Sequence, residues 1–426
     1  MGVIVIPIII SYSLLWAQYQ NAQTLENYLY RIFTAKNTND FEGIFDESFE
    51  SQVPRDYLLY QITEVVKYYG NFTKAEVSSR PIINNVYSFV VYLENAKISG
   101  AIDIKPFSKT VSIFWFGYPE FYDEYLLEIN WSTIYSEFES LPGNKSLILA
   151  RDNNLIYKYN ENMSLQVASM FKLFVLEALV NKIKNDSNLS WSTKIPIQDK
   201  YKSLPSGILQ DYPNGTLFTL KTLADYMINI SDNTATDHLI HFLGRSYVEN
   251  FLPANYSLPF LTTAESFKLR WLISDDDLNT YINMNSAEKL NYLENNLSNL
   301  NVFDIDLNSV NYTHNIQARK LMEWTFKSID LYRIQNKTKS YNSTYLNPGL
   351  ANPDDWDIVS YKGGSDIGVY SLGHSLLAKN GSWFICTIIV NNYNTFELEY
   401  GSYVASQWGY IAICSKIIEK LALDVL

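Results

Sequence analysis

Ser169-Met170-Phe171-Lys172 places a hydroxyl and an amine three residues apart at the head of an apolar run, Phe171–Ile183. A run that is apolar nearly all round predicts a helix buried in a domain core. Residues three apart share a helix face, so Ser169 and Lys172 would meet there. A buried ammonium is costly unless it is paired or gives up its proton. A lysine brought down from its usual pKa of about 10.4 toward neutrality can take a serine proton and make the oxygen a nucleophile. At a helix N-terminus, free N–H groups would also favour developing negative charge. Ser-x-x-Lys alone recurs by chance, so the chemistry needs further residues around it.

Two further groups follow in order. Ser231-Asp232-Asn233 opens a second helix-like run, Thr234–Phe242, and Lys362-Gly363-Gly364-Ser365 stands between the strand-like Asp357–Tyr361 and another strand. Taken singly they read as a helix cap and a turn. Together with Ser169 and Lys172, their order and context resemble the Ser-x-x-Lys, Ser-Asp-Asn and Lys-Thr-Gly set of class A β-lactamases and penicillin-binding proteins. The resemblance extends to Asn347-Pro348-Gly349-Leu350, Trp356, the continuation Asp366-Ile367-Gly368-Val369, Pro259–Thr263 and Phe267-Lys268-Leu269. These look like the branch of β-lactamase-related serine hydrolases that includes the β-lactamase-like protein of clavulanic acid biosynthesis.

The resemblance implies an acyl-enzyme mechanism. Ser169 would be the nucleophile and Lys172 its general base. Ser231 and Lys362 would relay a proton to the leaving group, Asn233 would hold a substrate amide, and Asp232 would orient its loop. Gly363, Gly364 and Ser365 would line the substrate strand, with the N–H groups of Ser169 and Ser365 as the oxyanion hole. Two departures stand out. Gly363 replaces a threonine whose hydroxyl Ser365 supplies only in part, and the loop glutamate that directs deacylating water is not recognisable. Glu265 lies near the right place, but in Thr-Thr-Ala-Glu-Ser-Phe it reads as a helix first-turn carboxylate, favourable there on dipole grounds.

These residues need a scaffold, and the chain is long enough for two domains: 426 residues, 47% apolar and 18% charged. That composition excludes a disordered chain. Its formal net charge of −12 repels phosphate backbones, so no nucleic acid is expected as a partner. Residues 25–117 read as an α+β domain, with helices at Leu25–Phe33 and Tyr57–Tyr69. Strands follow at Phe72–Ser78, Tyr87–Leu93, Ile98–Ile104 and Val111–Phe116. The element order resembles the cone-shaped domains related to nuclear transport factor 2 and ketosteroid isomerase, and suits packing, dimerisation or framing a substrate. Residues 125–426 read as the β-lactamase/transpeptidase-like domain, an antiparallel sheet flanked by helices plus an all-helical subdomain. Its outer strands are Ser146–Arg151 with Leu155–Tyr159, and Gly368–Leu377 with Trp383–Val390, before a last helix near Ser406–Leu423.

Four histidines, His238, His241, His314 and His374, show no metal-ligand spacing, so no metal or cofactor is expected. They read as packed or solvated, since the lysine already fills the base role. Residues 1–24 lack any charged side chain, and Val3–Trp16 is apolar, as in a signal-peptide core or an anchor. With many Asn-x-Ser/Thr acceptors, among them Asn71, Asn255 and Asn311, this points to an exported, glycosylated protein outside the cell or on its surface. Cys386 and Cys414 are either buried thiols or a bond tying the last helix to the sheet. The substrate expected is a small or peptide-like acyl compound, with an acidic group to match the two lysines. The alternatives are a non-catalytic binding protein that keeps the pocket, and a transpeptidase- or peptidase-like acyl transferase.

Overall fold

The computed structural model describes residues 20–425 apart from 205, 255, 307–309, 311–313 and 394–406. Most of the leader expected at 1–24, and the acceptors Asn255 and Asn311, lie outside the described residues. The chain divides into two compact units.

Unit 1 begins with helix α1 (20–33). Helix α2 (Arg55–Tyr69) starts after Pro54 and stops at Gly70, whose φ of 96° is open to glycine and strained for other residues. Its apolar stripe, Leu58, Ile62, Val65 and Tyr69, repeats at helical spacing and is buried. An antiparallel sheet follows: β1 (Phe72–Val77), β2 (Val86–Leu93), β3 (Ala96–Asp103) and β4 (Phe114–Phe116), with β5 (Glu120–Phe121) also pairing β3. Alternation along β2 buries Tyr87, Phe89, Val91 and Leu93 against the helices, the period-two pattern of a half-covered sheet. The sequence places a domain boundary near 117–125 and gives the last helix to the second domain. In the structure, unit 1 runs to Leu141 and also takes in the helix Gln407–Val425. The reason is packing: Ala412 joins this unit's core, Trp408 donates to Gln61 (2.7 Å), and Lys416 pairs with Glu137 (2.6 Å).

Unit 2 carries a five-stranded antiparallel sheet: β6 (Asn144–Arg151), β7 (Asn154–Tyr159), β10 (Ile358–Asp366), β11 (Val369–Leu377) and β12 (Trp383–Asn391), in the order β10-β11-β12-β6-β7. Two short strands, β8 (Ser164–Gln166) and β9 (Thr325–Lys327), pair apart from it. First and last segments therefore meet, as the sequence predicts, through β12 paired with β6. β11 is buried along nearly its whole length, the mark of a strand covered on both faces. Helix α3 (Lys172–Asn185) is sunk in the largest core with Leu173, Leu176 and Leu179, beside Leu331 and Ile334. Helices α4 (Leu220–Asn229), α5 (Asn233–Leu243) and α6 (Thr263–Trp271) complete its surroundings. The expected antiparallel sheet flanked by helices is what unit 2 contains. Cys386 and Cys414 are both buried and neither is in a disulfide, so the bonded alternative is not realised.

Candidate active site

Ser169 sits in a short 3-10 turn, Ala168–Phe171, that runs directly into α3. The turn is held from both sides. Val167 donates its N–H to Trp324 O (2.9 Å) and accepts from Ser371 Oγ on β11 (2.8 Å), while Phe171 stacks on Trp324 at 3.8 Å. Ala168 has a φ of 44°, a left-handed conformation that costs a non-glycine residue about 1–2 kcal/mol. The surrounding contacts keep it there and aim the next residue, Ser169, outward from the core.

Lys172 is fully buried because the first two turns of α3 are apolar nearly all round and sunk in the core. Its Nζ lies 3.1 Å from Ser169 Oγ, 3.0 Å from Ser231 Oγ, 2.6 Å from Ser231 O and 2.7 Å from Asn233 Oδ1. All four partners are uncharged oxygens. Burial therefore dominates and lowers the amine to about 7, against a smaller opposing pull from Asp232, Asp237 and Glu323. Near neutrality a large share of Lys172 is uncharged and offers a lone pair toward the Ser169 hydroxyl.

Ser231 and Asn233 come from the joint between α4 and α5. Ser231 takes a φ of 57°, again left-handed. Asp232 holds that joint: it caps α5 through Ala235 N (2.7 Å) and accepts from Ile208 N (2.7 Å) and Leu209 N (3.0 Å). Asn233 is engaged at both ends, its Oδ1 on Lys172 and its Nδ2 on Leu204 O (3.0 Å). In this structure it positions the lysine; a substrate amide would have to displace one of those bonds.

Lys362 reaches the same point from edge strand β10. Its Nζ donates to Ser231 Oγ (3.1 Å) and to Gly363 O (2.5 Å), and it is buried. Burial, then the charge of Lys172, holds its pKa well below the usual lysine value. The two amines thus meet at one serine hydroxyl, and the hydrogen bonds through it form a route along which a proton can travel. Gly364 brings β10 against the Ser169 turn: a Cβ there would stand 2.6 Å from Ser169 N and from Val167 O. Gly363 and the exposed Ser365 flank it on the open edge of the sheet.

Glu265 is elsewhere. Its carboxylate takes a two-pronged bond from Arg245 (2.5 and 3.0 Å) and accepts from Thr262 N (2.8 Å), forming the capping box of α6. Both ends of its charge are used structurally. The histidines are also occupied away from the serine. His238 accepts from Gln198 N, His241 stacks on Tyr201, His314 meets Asp275, and His374 accepts from Leu350 N. Among the described residues no group of three or more His, Cys, Asp or Glu could hold a metal ion. Sequence reasoning missed the ion cluster in which Arg270 meets Glu323 (2.9 Å) and Asp366 (2.7 Å). Trp324 opposes Val167 and Asp366 ends β10, so this cluster ties the Ser169 turn to the edge strand.

Residues 140–297 match the beta-lactamase enzyme family. That beta-lactamase segment includes Ser169, Lys172, Ser231, Asn233 and Glu265, while Lys362–Ser365 lie beyond it. Beta-lactamase VEB-1 of Pseudomonas aeruginosa is 32% identical over 102 residues, 23% of this chain and 34% of that protein. The chain thus spans about a third of the length of the curated relative it matches. Solved structures that are similar include a beta-lactamase from Sphaerobacter thermophilus, with 17% identity, a TM-score of 0.42, and coverage of 68% of this chain and 98% of that one. Another is a beta-lactamase from Chitinophaga pinensis, with 16% identity, a TM-score of 0.44, and coverage of 68% and 98%.

Proposed function

We propose that this protein is an exported serine hydrolase that opens a lactam, amide or ester by acyl transfer to Ser169. The observation that carries the reading is a buried lysine, its pKa lowered to about 7, 3.1 Å from a serine oxygen. Lys172 takes the Ser169 proton as the oxygen attacks the carbonyl carbon. The tetrahedral oxyanion forms beside the Ser169 and Ser365 N–H groups. As the C–N or C–O bond breaks, the proton returns to the leaving group through Ser231 and Lys362. Water then hydrolyses the ester on Ser169. The two amines favour a substrate with an acidic group.

Because Glu265 is committed to Arg245, the acyl-enzyme is expected to be long-lived. This favours, as a second reading, transfer of the acyl group to an amine acceptor. Unit 1 fits the cone-shaped domain and the clavulanic-acid-related branch by element order, and its expected contribution is to frame substrate or to pair two copies.

Incubation with benzylpenicillin followed by intact-mass analysis tests the proposal. A one-to-one adduct is expected, absent in Ser169→Ala and persisting until an amine acceptor is added or slow hydrolysis removes it. Failure of both benzylpenicillin and a fluorophosphonate to modify Ser169 would leave only a non-catalytic pocket.

A further inference from the structure

In unit 1, two loop tips stand side by side at one end of the sheet. The first, residues 78–85, joins β1 to β2, and the second, residues 104–113, leads from β3 to β4. Val86 opposes Asp103, and Ile104 N donates to Asn85 O (3.1 Å), so the tips are linked at their bases. Each tip is braced by its own backbone. Ile82 N bonds Val86 O (2.7 Å) in the first, and Lys105 N bonds Thr110 O (2.9 Å) in the second. The Asp103 carboxylate also pins Ser112 N and Ile113 N (2.7 and 2.8 Å).

These fixed turns hold apolar side chains in water: Ile82 is 63% exposed, Ile83 64% and Phe107 100%. Single exposed apolar residues are ordinary, but three on adjoining rigid tips form a patch that calls for a partner. The same segments carry Arg80, Lys105 and Lys109 and no Asp or Glu, in a chain whose net charge is −12. Asp46 pairs with Lys105 from outside the tips.

A third element converges there. Asn21, in the first turn of α1, accepts from Lys109 Nζ (3.1 Å) and donates to Tyr87 OH (3.4 Å), while Tyr28 OH donates to Lys109 O (3.1 Å). The chain therefore enters α1 at the end that bears the tips. Immediately before it in sequence lies the apolar run Val3–Trp16.

We infer that this end of unit 1 docks on an anionic lipid surface, with Ile82, Ile83 and Phe107 entering the acyl boundary and Arg80, Lys105 and Lys109 facing headgroup phosphates. Apolar tips ringed by cations suit that boundary, where acyl chains meet negative headgroups. The inference is independent of the acyl-transfer reading.

The full chain can be tested directly, because Cys386 and Cys414 are buried and spare a single new thiol. Separate Ile83→Cys, Phe107→Cys and Glu120→Cys proteins carry an environment-sensitive fluorophore and are mixed with phosphatidylcholine–phosphatidylserine vesicles. Glu120 pairs with Lys97 on β3, toward the opposite end of the sheet. Labels at 83 and 107 should shift to the blue and brighten several-fold, while the label at 120 stays as in water. The Ile82→Asn, Ile83→Asn, Phe107→Ser triple variant, with unchanged melting, should bind vesicles roughly tenfold more weakly. Tip labels that stay water-like while the protein sediments with vesicles would overturn the inference, since residues 3–16 alone would then bind. A blue shift without vesicles that grows with protein concentration would overturn it too, in favour of a second copy on the patch.

Discussion

Buried lysines occur in both units, and they are treated in opposite ways. In unit 1, Lys416 and Lys420 of the helix Gln407–Val425 are almost wholly buried, yet carboxylates stand beside them: Glu137 at 2.6 Å and Asp424 at 3.7 Å. In unit 2, Lys172 and Lys362 are equally buried, and every hydrogen-bond partner they have is a neutral oxygen. The same contrast appears within unit 2, where buried Arg270 is met by Glu323 and Asp366. Lys416, Lys420 and Arg270 are each buried with a carboxylate nearby. Around Ser169 the fold withholds one, and burial then pushes both amines toward the uncharged form. On the proposed reaction, the missing counter-ion is what would let Lys172 serve as the base.

Removing that base should have the largest effect. Lys172→Met keeps the apolar bulk and deletes the amine, and acylation of Ser169 by a fluorescent penicillin should slow by about 10²–10⁴-fold. In the unaltered protein the acylation rate should rise with pH through about 7 and level off above it, because only the neutral amine accepts a proton. The variant should lose that limb along with the rate. A stopped-flow or gel time course across the pH range measures both, and an unchanged limb in Lys172→Met would assign it to another group.

Supplying the withheld charge is the sharper perturbation. Asn233→Asp would put a carboxylate where the amide oxygen now lies 2.7 Å from Lys172 Nζ. An opposite charge at that distance raises an amine's pKa by about 1–3 units. The acid limb should therefore move to higher pH, with acylation at pH 7 down about tenfold or more and recovered in alkali. A limb that stays in place, or a rate lost at every pH, would show that Asn233 acts on substrate rather than on the lysine.

Much of this was legible before any coordinates. Ser169 and Lys172 are marked by spacing and by the apolar run that follows, but they gain meaning only beside the later groups. Ser231, Asn233 and Lys362 are legible through the resemblance of the three ordered groups to a known motif set, since each alone reads as a cap or a turn. Glu265 reads correctly as a helix first-turn carboxylate, but Arg245, which binds it, comes from a separate segment. Non-local pairings leave no trace of this kind. Arg270 and Asp366 are 96 positions apart, and nothing around either names the other. The left-handed Ala168 gives no local sign, because its backbone is held by Trp324 and Ser371 from distant segments. The helix Gln407–Val425 was recognisable as buried, but an apolar face does not state which core it will join.

The smallest expected effect tests the other side of the contrast. Lys416→Met removes a buried cation that already has its anion, replacing the stem with a side chain of similar volume. Glu137, left behind, is 39% exposed and remains hydrated, so the cost should be about 1 kcal/mol of stability, seen as a fall of a few degrees in Tm. Acylation of Ser169 and its pH profile should stay as they are. A large loss of labelling from this substitution would mean that a paired lysine matters to the chemistry as an unpaired one does, and the distinction between the two kinds of buried amine would fail.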